Sequence, residues 1–267
     1  MHAFFAGAAR VTLACKQVTL AVAGRTLCGD LEFTVQPGEV WGVLGPNGSG
    51  KSTLLHVLAG LAAPASGGVT LDAQPLAALK AIARARAVGV LPQHEDGEFW
   101  GTALEYVSLG CFPHAPAWLD WQRDDAAAAQ AALNQVGLTD FAARRYATLS
   151  GGERQRARIA QLLAQAPRYL LLDEPLQHLD VRYQMLMLEG VAALARDNRK
   201  QHGVVMVLHD VLWPTRVCTH ALLLDGAGGA RAGVAHEVLT QPNLEALFGC
   251  ALQAAGDNPQ AGFVPAI

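Results

Sequence analysis

The sequence lacks the features that mark several large classes of protein. Its 267 residues carry a formal net charge of only −3, so it has no broad basic field for a nucleic-acid backbone or an anionic membrane surface. Hydrophobic residues make up 51% of the chain, but alanine accounts for much of that share and no apolar run approaches the length of a membrane span. We therefore expect a soluble protein that binds any phosphate ligand at a defined site and not over a broad basic surface.

Paired cysteines and an export signal are also missing. The cysteines lie far apart, without the spacing of a zinc site or a redox motif, at Cys15, Cys28, Cys111, Cys218 and Cys250. The first residues, MHAFFAGAARVTLACKQ, show no basic region followed by a sustained apolar core, so we expect them to lead into a strand. The length favours one large α/β domain, or a core with a small attached lobe.

Short runs rich in valine and leucine alternate with helical patterns, as in strands buried on both faces of a parallel sheet. These runs span residues 39–44, 169–172, 204–208 and 221–224. Between Pro92 and Tyr146 the sequence is alanine-rich and has no run of this type, which predicts a small helical lobe. The chain is therefore expected to be an α/β protein with a helical insertion.

The last fifth of the chain carries three weaker patterns. The glycine-rich stretch DGAGGARAG after Leu224 predicts a hairpin, and residues 235–249 have a helical pattern. From about Gly256 the sequence contains proline and glycine, so we expect a loosely held end.

Residues GPNGSGKST fit the P-loop pattern, in which glycines let backbone N–H groups wrap around a polyanion. An apolar run precedes them and helical spacing follows, so the loop delivers a helix N-terminus to the phosphates. Lys51 adds a charge at the β- and γ-phosphates, and the Ser52 hydroxyl can ligate magnesium. We expect the whole motif to bind nucleotide, namely Gly45, Pro46, Asn47, Gly48, Ser49, Gly50, Lys51, Ser52 and Thr53.

Two further runs end in residues suited to phosphate hydrolysis. The apolar run after Arg168 ends in Asp173 and Glu174, which places two carboxylates at the carboxyl end of a buried strand, where α/β proteins bind ligands. Asp173 is expected to hold magnesium, and Glu174 to orient and deprotonate the attacking water. His209 follows the run VVMVL and is expected to contact the γ-phosphate or that water.

A second helix start suited to anions occurs at Ser150, Gly151 and Gly152, within the octet LSGGERQR. One nucleotide does not need two such sites from one chain, so this one is expected to serve the nucleotide of a second subunit. The alternative is a glycine N-cap, with Arg154, Arg156 and Arg158 on a solvated face.

With this octet the chain resembles the ABC ATPase family, whose defining motif LSGGQ appears here as LSGGE. The resemblance covers nearly the whole chain and includes a P-loop, a Q-loop at Gln93, the signature motif at Leu149–Glu153, a Walker B motif at Leu170–Glu174, a D-loop near Asp180 and a switch histidine, His209. It implies a P-loop NTPase (RecA-like) core with an antiparallel β region. The implied organisation is a single domain over residues 1–267, with residues 97–158 as an inserted helical subdomain.

The resemblance also implies partners and roles. In a head-to-tail dimer that holds two ATP molecules with Mg²⁺, Ser150 of one subunit meets the γ-phosphate held by Lys51 of the other, and Asp180 lines the interface. Gln93 is implied to act in catalysis and at the magnesium ion. No nucleic-acid partner is expected.

Within the family, the segments EYVSLGCFPH and HEVLTQPNLEALFG resemble importers of cobalamin, iron-siderophores and haem. This implies a place on the cytoplasmic face of the membrane, beneath permease subunits that a periplasmic or extracellular binding protein supplies with substrate. A soluble ABC ATPase, such as an iron–sulfur cluster assembly factor, stays open as the alternative.

Two regions call for separate expectations. Val22 aligns with the position where the family places an aromatic ring against adenine, so base binding is expected to be weaker, or to use Arg25. The polar cluster after Gln93 is expected to form a solvated face that contacts the permease; it comprises His94, Glu95, Asp96 and Glu98. Phe99 and Trp100 either line a groove for a permease helix or pack in the core.

Overall fold

The computed structural model of the chain describes residues 12–95, 97–115, 123–197, 202–256 and 261–266. The strands are β1 (Leu13–Val22), β2 (Arg25–Val35), β3 (Val40–Leu44), β4 (Ser66–Leu71), β5 (Gln74–Pro75), β6 (Val88–Leu91), β7 (Tyr169–Asp173), β8 (Gly203–Val207), β9 (His220–Leu224), β10 (Ala230–Val234), β11 (Leu252–Ala254) and β12 (Phe263–Pro265). The α-helices are α1 (Lys51–Leu58), α2 (Ala81–Ala87), α3 (Ala103–Ser108), α4 (Arg123–Gln135), α5 (Gly151–Gln165), α6 (Val181–Arg196), α7 (Pro214–Val217), α8 (Ala235–Val238) and α9 (Gln241–Phe248).

A six-stranded sheet with the order β10-β9-β3-β8-β7-β6 forms the centre of the fold. Strands β9, β3, β8, β7 and β6 are parallel, and only β10 runs antiparallel to its neighbour. The valine- and leucine-rich runs form the buried strands β3, β7, β8 and β9, because apolar side chains on both faces suit a sheet that is covered on both sides. The predicted α/β fold is confirmed.

A second, antiparallel sheet covers one side of the core. It has the order β2-β1-β4-β5, and β1 pairs with both β2 and β4. Leu20 and Phe33 of this sheet, Leu55 of α1 and Val205 of the central sheet belong to one buried apolar cluster. Helix α1, which follows the P-loop, is thus held by apolar contacts shared with both sheets.

Helices α3, α4 and α5 pack together around an apolar cluster of their own, which includes Tyr106, Leu133, Leu138 and Ala160. Helix α3 begins with a capping box, in which the Thr102 hydroxyl accepts from the Glu105 amide at 3.2 Å. Helices α3 and α4 lie within the alanine-rich part of the sequence that predicts a helical lobe, whereas α5 begins after it, at Gly151.

The hairpin of β9 and β10 occurs where the glycine-rich stretch predicts it, and Asp225 fixes its loop by accepting from the Gly229 amide at 2.9 Å. The helical pattern predicted over residues 235–249 is confirmed. It is divided into α8 and α9, and Pro242 lies in the first turn of α9, where the missing amide donor costs nothing.

The expectation of a loosely held end from about Gly256 is wrong for residues 261–266, while residues 257–260 lie outside the described part of the chain. Strand β12 pairs with β11, and the Phe263 amide donates to Val211 O at 3.4 Å. The guanidinium of Arg216 donates to Ala261 O at 3.1 and 2.9 Å. The predicted lead-in at residues 1–11 lies outside the described residues. Within the described part of the chain, no helix is both long and apolar enough to cross a lipid bilayer.

Candidate functional site

The predicted site residues follow four neighbouring parallel strands. Along the order β3-β8-β7-β6, the segments after the strands contain the P-loop, His209, Glu174 and Gln93. The carboxyl ends of parallel strands lie at one edge of a sheet, so these residues meet around one cleft. The cleft has a volume of about 710 Å³ and is lined by Val22, Arg25, Leu27, Asn47, Gly48, Gly50, Lys51, Ser52, Thr53, Gln93, Glu174, Gln177 and His209.

The P-loop has a backbone that its glycines make possible. A Cβ atom on Gly45 would lie 2.2 Å from Leu224 O, which rules out any side chain there. Gly50 has a left-handed φ of 100° immediately before α1 begins at Lys51. The loop therefore turns tightly enough to direct the first amides of α1 into the cleft.

Lys51 is buried within this loop. Its ammonium donates to Gly45 O at 2.8 Å and to Pro46 O at 3.0 Å. Burial lowers the pKa of Lys51, while the carboxylates of Glu174 and Asp173 act in the opposite direction. A nearby polyphosphate would add negative charge and would favour the charged lysine further.

Asp173 is 3% exposed, and its Oδ1 atom has no hydrogen-bond partner among the described residues. Burial raises the pKa of Asp173, and a hydrogen bond with the Ser52 side chain partly offsets that effect. A buried carboxylate with an unpaired oxygen beside a hydroxyl suits a hard cation that prefers oxygen ligands.

Glu174 is buried directly after Asp173 and has a left-handed backbone, with φ 52°. Its Oε1 atom contacts Nε2 of His209, and its Oε2 atom is buried without a hydrogen-bond partner. His209 is 43% exposed and reaches this carboxylate from the neighbouring strand end. A left-handed backbone at a residue other than glycine is costly and is concentrated at functional sites.

The signature residues are on a different surface. Ser150 is the N-cap of α5: its hydroxyl accepts from the Glu153 amide at 3.3 Å, and Glu153 accepts from the Ser150 amide at 2.7 Å. The N-cap is therefore serine and not glycine, and the Ser150 hydroxyl also hydrogen-bonds to the Glu153 side chain of its own chain. A Cβ atom on Gly152 would lie 3.0 Å from His178 O, close to the turn that leads into α6.

Asp180 is the N-cap of α6, where its Oδ1 atom accepts from the Tyr183 amide at 3.0 Å. Ser150, Gly151, Gly152 and Asp180 do not line the cleft that contains Lys51. The structure thus brings together the P-loop, Gln93, Glu174 and His209, with Asp173 beneath them, and leaves the signature and D-loop residues apart.

The position expected for the nucleotide base has no aromatic ring. Among the described residues, the lining of the cleft includes no phenylalanine, tyrosine or tryptophan. Val22 is 50% exposed at this end of β1. Arg25 also lines the cleft, and its Nη2 atom donates to Gly226 O at 3.0 Å, which restrains the guanidinium.

The segment after Gln93 is exposed, as predicted, but one of its carboxylates is also hydrogen-bonded to the helical lobe. Glu95 accepts hydrogen bonds from the hydroxyls of Tyr106 and Tyr146, so its carboxylate belongs to the packing of the helical lobe. His94, Glu95 and Glu98 are exposed, whereas Asp96 lies outside the described residues. The predicted solvent exposure is therefore confirmed for these three residues, while the hydrogen bonds of Glu95 to the two tyrosines were not predicted. Contact with a permease stays a prediction.

The two aromatic residues that follow have different environments. Phe99 packs edge-on against Tyr106 and Tyr146, with centroid distances of 5.4 and 6.0 Å. Trp100 is 77% exposed. Sequence reasoning also missed Arg158, which the sequence left as one of three arginines on a helix face and which the structure places against the Gln93 segment.

Comparison with known proteins agrees with this geometry. The family model described as ABC transporter matches residues 28–177. The chain is 41% identical to the hemin import ATP-binding protein HmuV of Bordetella pertussis, over 90% of this chain and 92% of that protein. It is 35% identical to the cobalamin import ATP-binding protein BtuD of Halobacterium salinarum, over 95% of this chain and 63% of that protein. A solved inward-facing structure of a putative metal-chelate type ABC transporter superimposes with a TM-score of 0.82 at 28% identity, covering 96% of this chain and 98% of that one.

Proposed function

Because the chain belongs to the ABC transporter family, we propose that it is the ATPase subunit that energises import of haem or a related metal chelate through a membrane permease. The observation that supports this most is the convergence of Lys51, Gln93, Glu174 and His209 on one cleft at the sheet edge. The chain is an ATPase, and the transported substrate is the proposed part.

The triphosphate is held by the P-loop. Backbone amides of the loop and of the first turn of α1 donate to the β- and γ-phosphates, and Lys51 exchanges its contacts with Gly45 O and Pro46 O for phosphate oxygens. Ser52 and Asp173 would hold Mg²⁺, with Gln93 beside them, since the unpaired Asp173 oxygen and the hydroxyl are oxygen ligands of the type this ion prefers. The bound ion supplies charge stabilisation of the phosphates.

Glu174 is the proposed general base for the attacking water. Its buried Oε2 atom is free to accept from that water, while His209 orients the carboxylate through Oε1. His209 also comes from the strand next to β7, so a shift of its loop alters the position of the base. Hydrolysis in this site requires no covalent intermediate with the protein, because water attacks the γ-phosphate directly.

The complete site is proposed to form between two copies of the chain. Ser150 lies at a helix N-terminus, yet it does not line the cleft of its own chain. In a head-to-tail dimer, this helix start donates to the γ-phosphate held by Lys51 of the partner, and Asp180 lies at the same interface.

The permease is proposed to dock beside the Gln93 segment. Trp100 is a large apolar side chain that is 77% exposed. Tryptophan is enriched at protein–protein interfaces relative to the rest of the protein surface. The helical lobe that carries it also carries Ser150, so docking is linked physically to the dimer interface. The chain is then proposed to lie on the cytoplasmic face of the membrane, with the binding protein acting on the opposite side.

The experiment is purification of the tagged chain from membranes of its own cells, with identification of bound proteins and ligands. We expect permease subunits to copurify and haem uptake by intact cells to need Lys51, so that Lys51→Ala abolishes uptake without loss of the complex. Normal haem uptake by the Lys51→Ala cells would contradict the proposed substrate. Recovery of the chain only in soluble assemblies without a membrane protein would instead favour the assembly-factor alternative.

A further inference from the structure

The segment that contains Gln93 is bound through hydrogen bonds and an ion pair to α5, the helix that begins at the signature motif. Arg158 of α5 donates through Nη2 to Pro92 O and through Nη1 to Gln93 O at 3.5 Å. Its Nε atom lies 3.8 Å from Glu95 Oε2. One guanidinium, 11% exposed, thus contacts three residues of the segment.

Glu95 links the same segment to the rest of the helical lobe through two hydrogen bonds. Its Oε1 atom accepts from the Tyr106 hydroxyl at 2.7 Å, and its Oε2 atom accepts from the Tyr146 hydroxyl at 2.9 Å. The two rings stack with centroids 4.0 Å apart. Since Tyr146 lies four residues before Ser150, Glu95 connects the Gln93 segment to the chain that leads into the signature motif.

Arg158 also reaches the strand that carries the general base. Its Nη1 atom donates to Gln155 Oε1 at 2.9 Å, and the buried Gln155 donates to Pro175 O at 3.1 Å. Pro175 directly follows Glu174. The path from Gln93 to the residue beside Glu174 therefore runs through two side chains of α5.

We propose that Arg158 and Glu95 are positioning residues that make the Gln93 segment and the start of α5 move as one unit. Gln93 then reaches its place in the cleft in the same step that brings Ser150 to the nucleotide of the partner subunit. The proposal rests on the proposed function and adds residues to its mechanism. Arginine suits this task because its planar fork holds several acceptors in fixed directions, which a lysine cannot do.

The test is whether Arg158 acts through Gln93. We expect Arg158→Met to lower kcat for ATP roughly tenfold or more, in line with the cost of misplacing a catalytic group by about 1 Å, with KM for ATP nearly unchanged. In a Gln93→Ala background the same substitution should cause no further loss, and Arg158→Lys should recover only part of the wild-type rate. Arg231→Met, which removes a 2.6 Å hydrogen bond to Asn243 on a surface away from the cleft, serves as the control and should keep the wild-type rate.

A second measurement does not depend on hydrolysis. Hydrogen exchange of the backbone amides of residues 93–95, measured without nucleotide, should accelerate in Arg158→Met and in the Tyr106→Phe/Tyr146→Phe variant, which keeps the stacked rings but removes both hydroxyl donors. Unchanged exchange in both variants would overturn the proposal.

The kinetic results distinguish failure of the proposed role of Arg158 from failure of the proposed function. If the wild type hydrolyses ATP but the losses from Arg158→Met and Gln93→Ala multiply, Arg158 has only a structural role and this proposal alone fails. If the wild type binds ATP without hydrolysing it, the proposed function fails, and the positioning role fails with it.

Discussion

His209 Nε2 contacts Glu174 Oε1, so the proposed general base is held by a side chain from the neighbouring strand end. The contact leaves Oε2 of Glu174 buried and without a hydrogen-bond partner among the described residues, as the proposed role of accepting from the attacking water requires. Strands β7 and β8 are parallel neighbours, with Asp173 paired to Val207, which sets the two side chains at the same edge.

Glu174→Gln should keep ATP binding and lower turnover at least about a hundredfold, because the amide cannot accept a proton from water. With hydrolysis blocked, ATP should hold two copies of the chain together. Steady-state hydrolysis and size-exclusion chromatography with ATP check both effects. Near-normal turnover would remove Glu174 from the mechanism.

Mixed dimers test the composite site. A Lys51→Ala chain retains its signature motif, and a Ser150→Arg chain retains its P-loop, so a mixed dimer has one intact site although neither homodimer has any. We expect mixing to restore part of the wild-type hydrolysis. An inactive mixture that still forms mixed dimers would mean that Ser150 does not act across the interface.

In the part of the chain that the structure describes, no aromatic ring lines the cleft beside Val22, which predicts weak discrimination between bases. Stacking of a base on such a ring is worth roughly 1 to 3 kcal/mol, so its loss costs about tenfold or more in affinity. GTP hydrolysis should approach ATP hydrolysis, and Val22→Tyr should tighten ATP binding. A strong preference of the wild type for ATP would show that another group, such as Arg25 held by Gly226 O, reads the base.

Asp173→Asn should stabilise the nucleotide-free chain while abolishing magnesium-dependent hydrolysis. Removing a charged, unpartnered oxygen from the interior is expected to contribute about 1 kcal/mol or more, which corresponds to a rise in Tm of roughly 2 to 4 °C for a domain of this size.

The pH dependence of the expected rise in Tm follows from the direction in which the pKa of Asp173 is shifted. Burial raises the pKa of Asp173 in the folded state, so its ionisation opposes folding. The penalty is absent below the ordinary carboxyl pKa, grows as the pH rises through the folded pKa, and is fully present above it. The Tm difference between the variant and the wild type should therefore vanish in acid and reach a plateau near neutral pH. A difference that does not change with pH would contradict a raised pKa.

The sequence by itself determined the central elements and most of the cleft. Apolar runs predicted β3, β7, β8 and β9, because a strand buried on both faces must be apolar throughout. The motifs at their ends identified Lys51, Glu174 and His209, since a P-loop needs particular residues at fixed spacing.

Only the tertiary structure decided the contacts between segments that are distant in sequence. Glu95 lies in a polar segment with the composition of a solvated loop. Its carboxylate nevertheless accepts hydrogen bonds from two tyrosines that are 11 and 51 residues away in sequence. Arg158 reaches Gln93 O across 65 residues, and strand β12 is ordered by pairing with β11. Local periodicity carries no information about such pairings, because they depend on which surfaces the fold brings together.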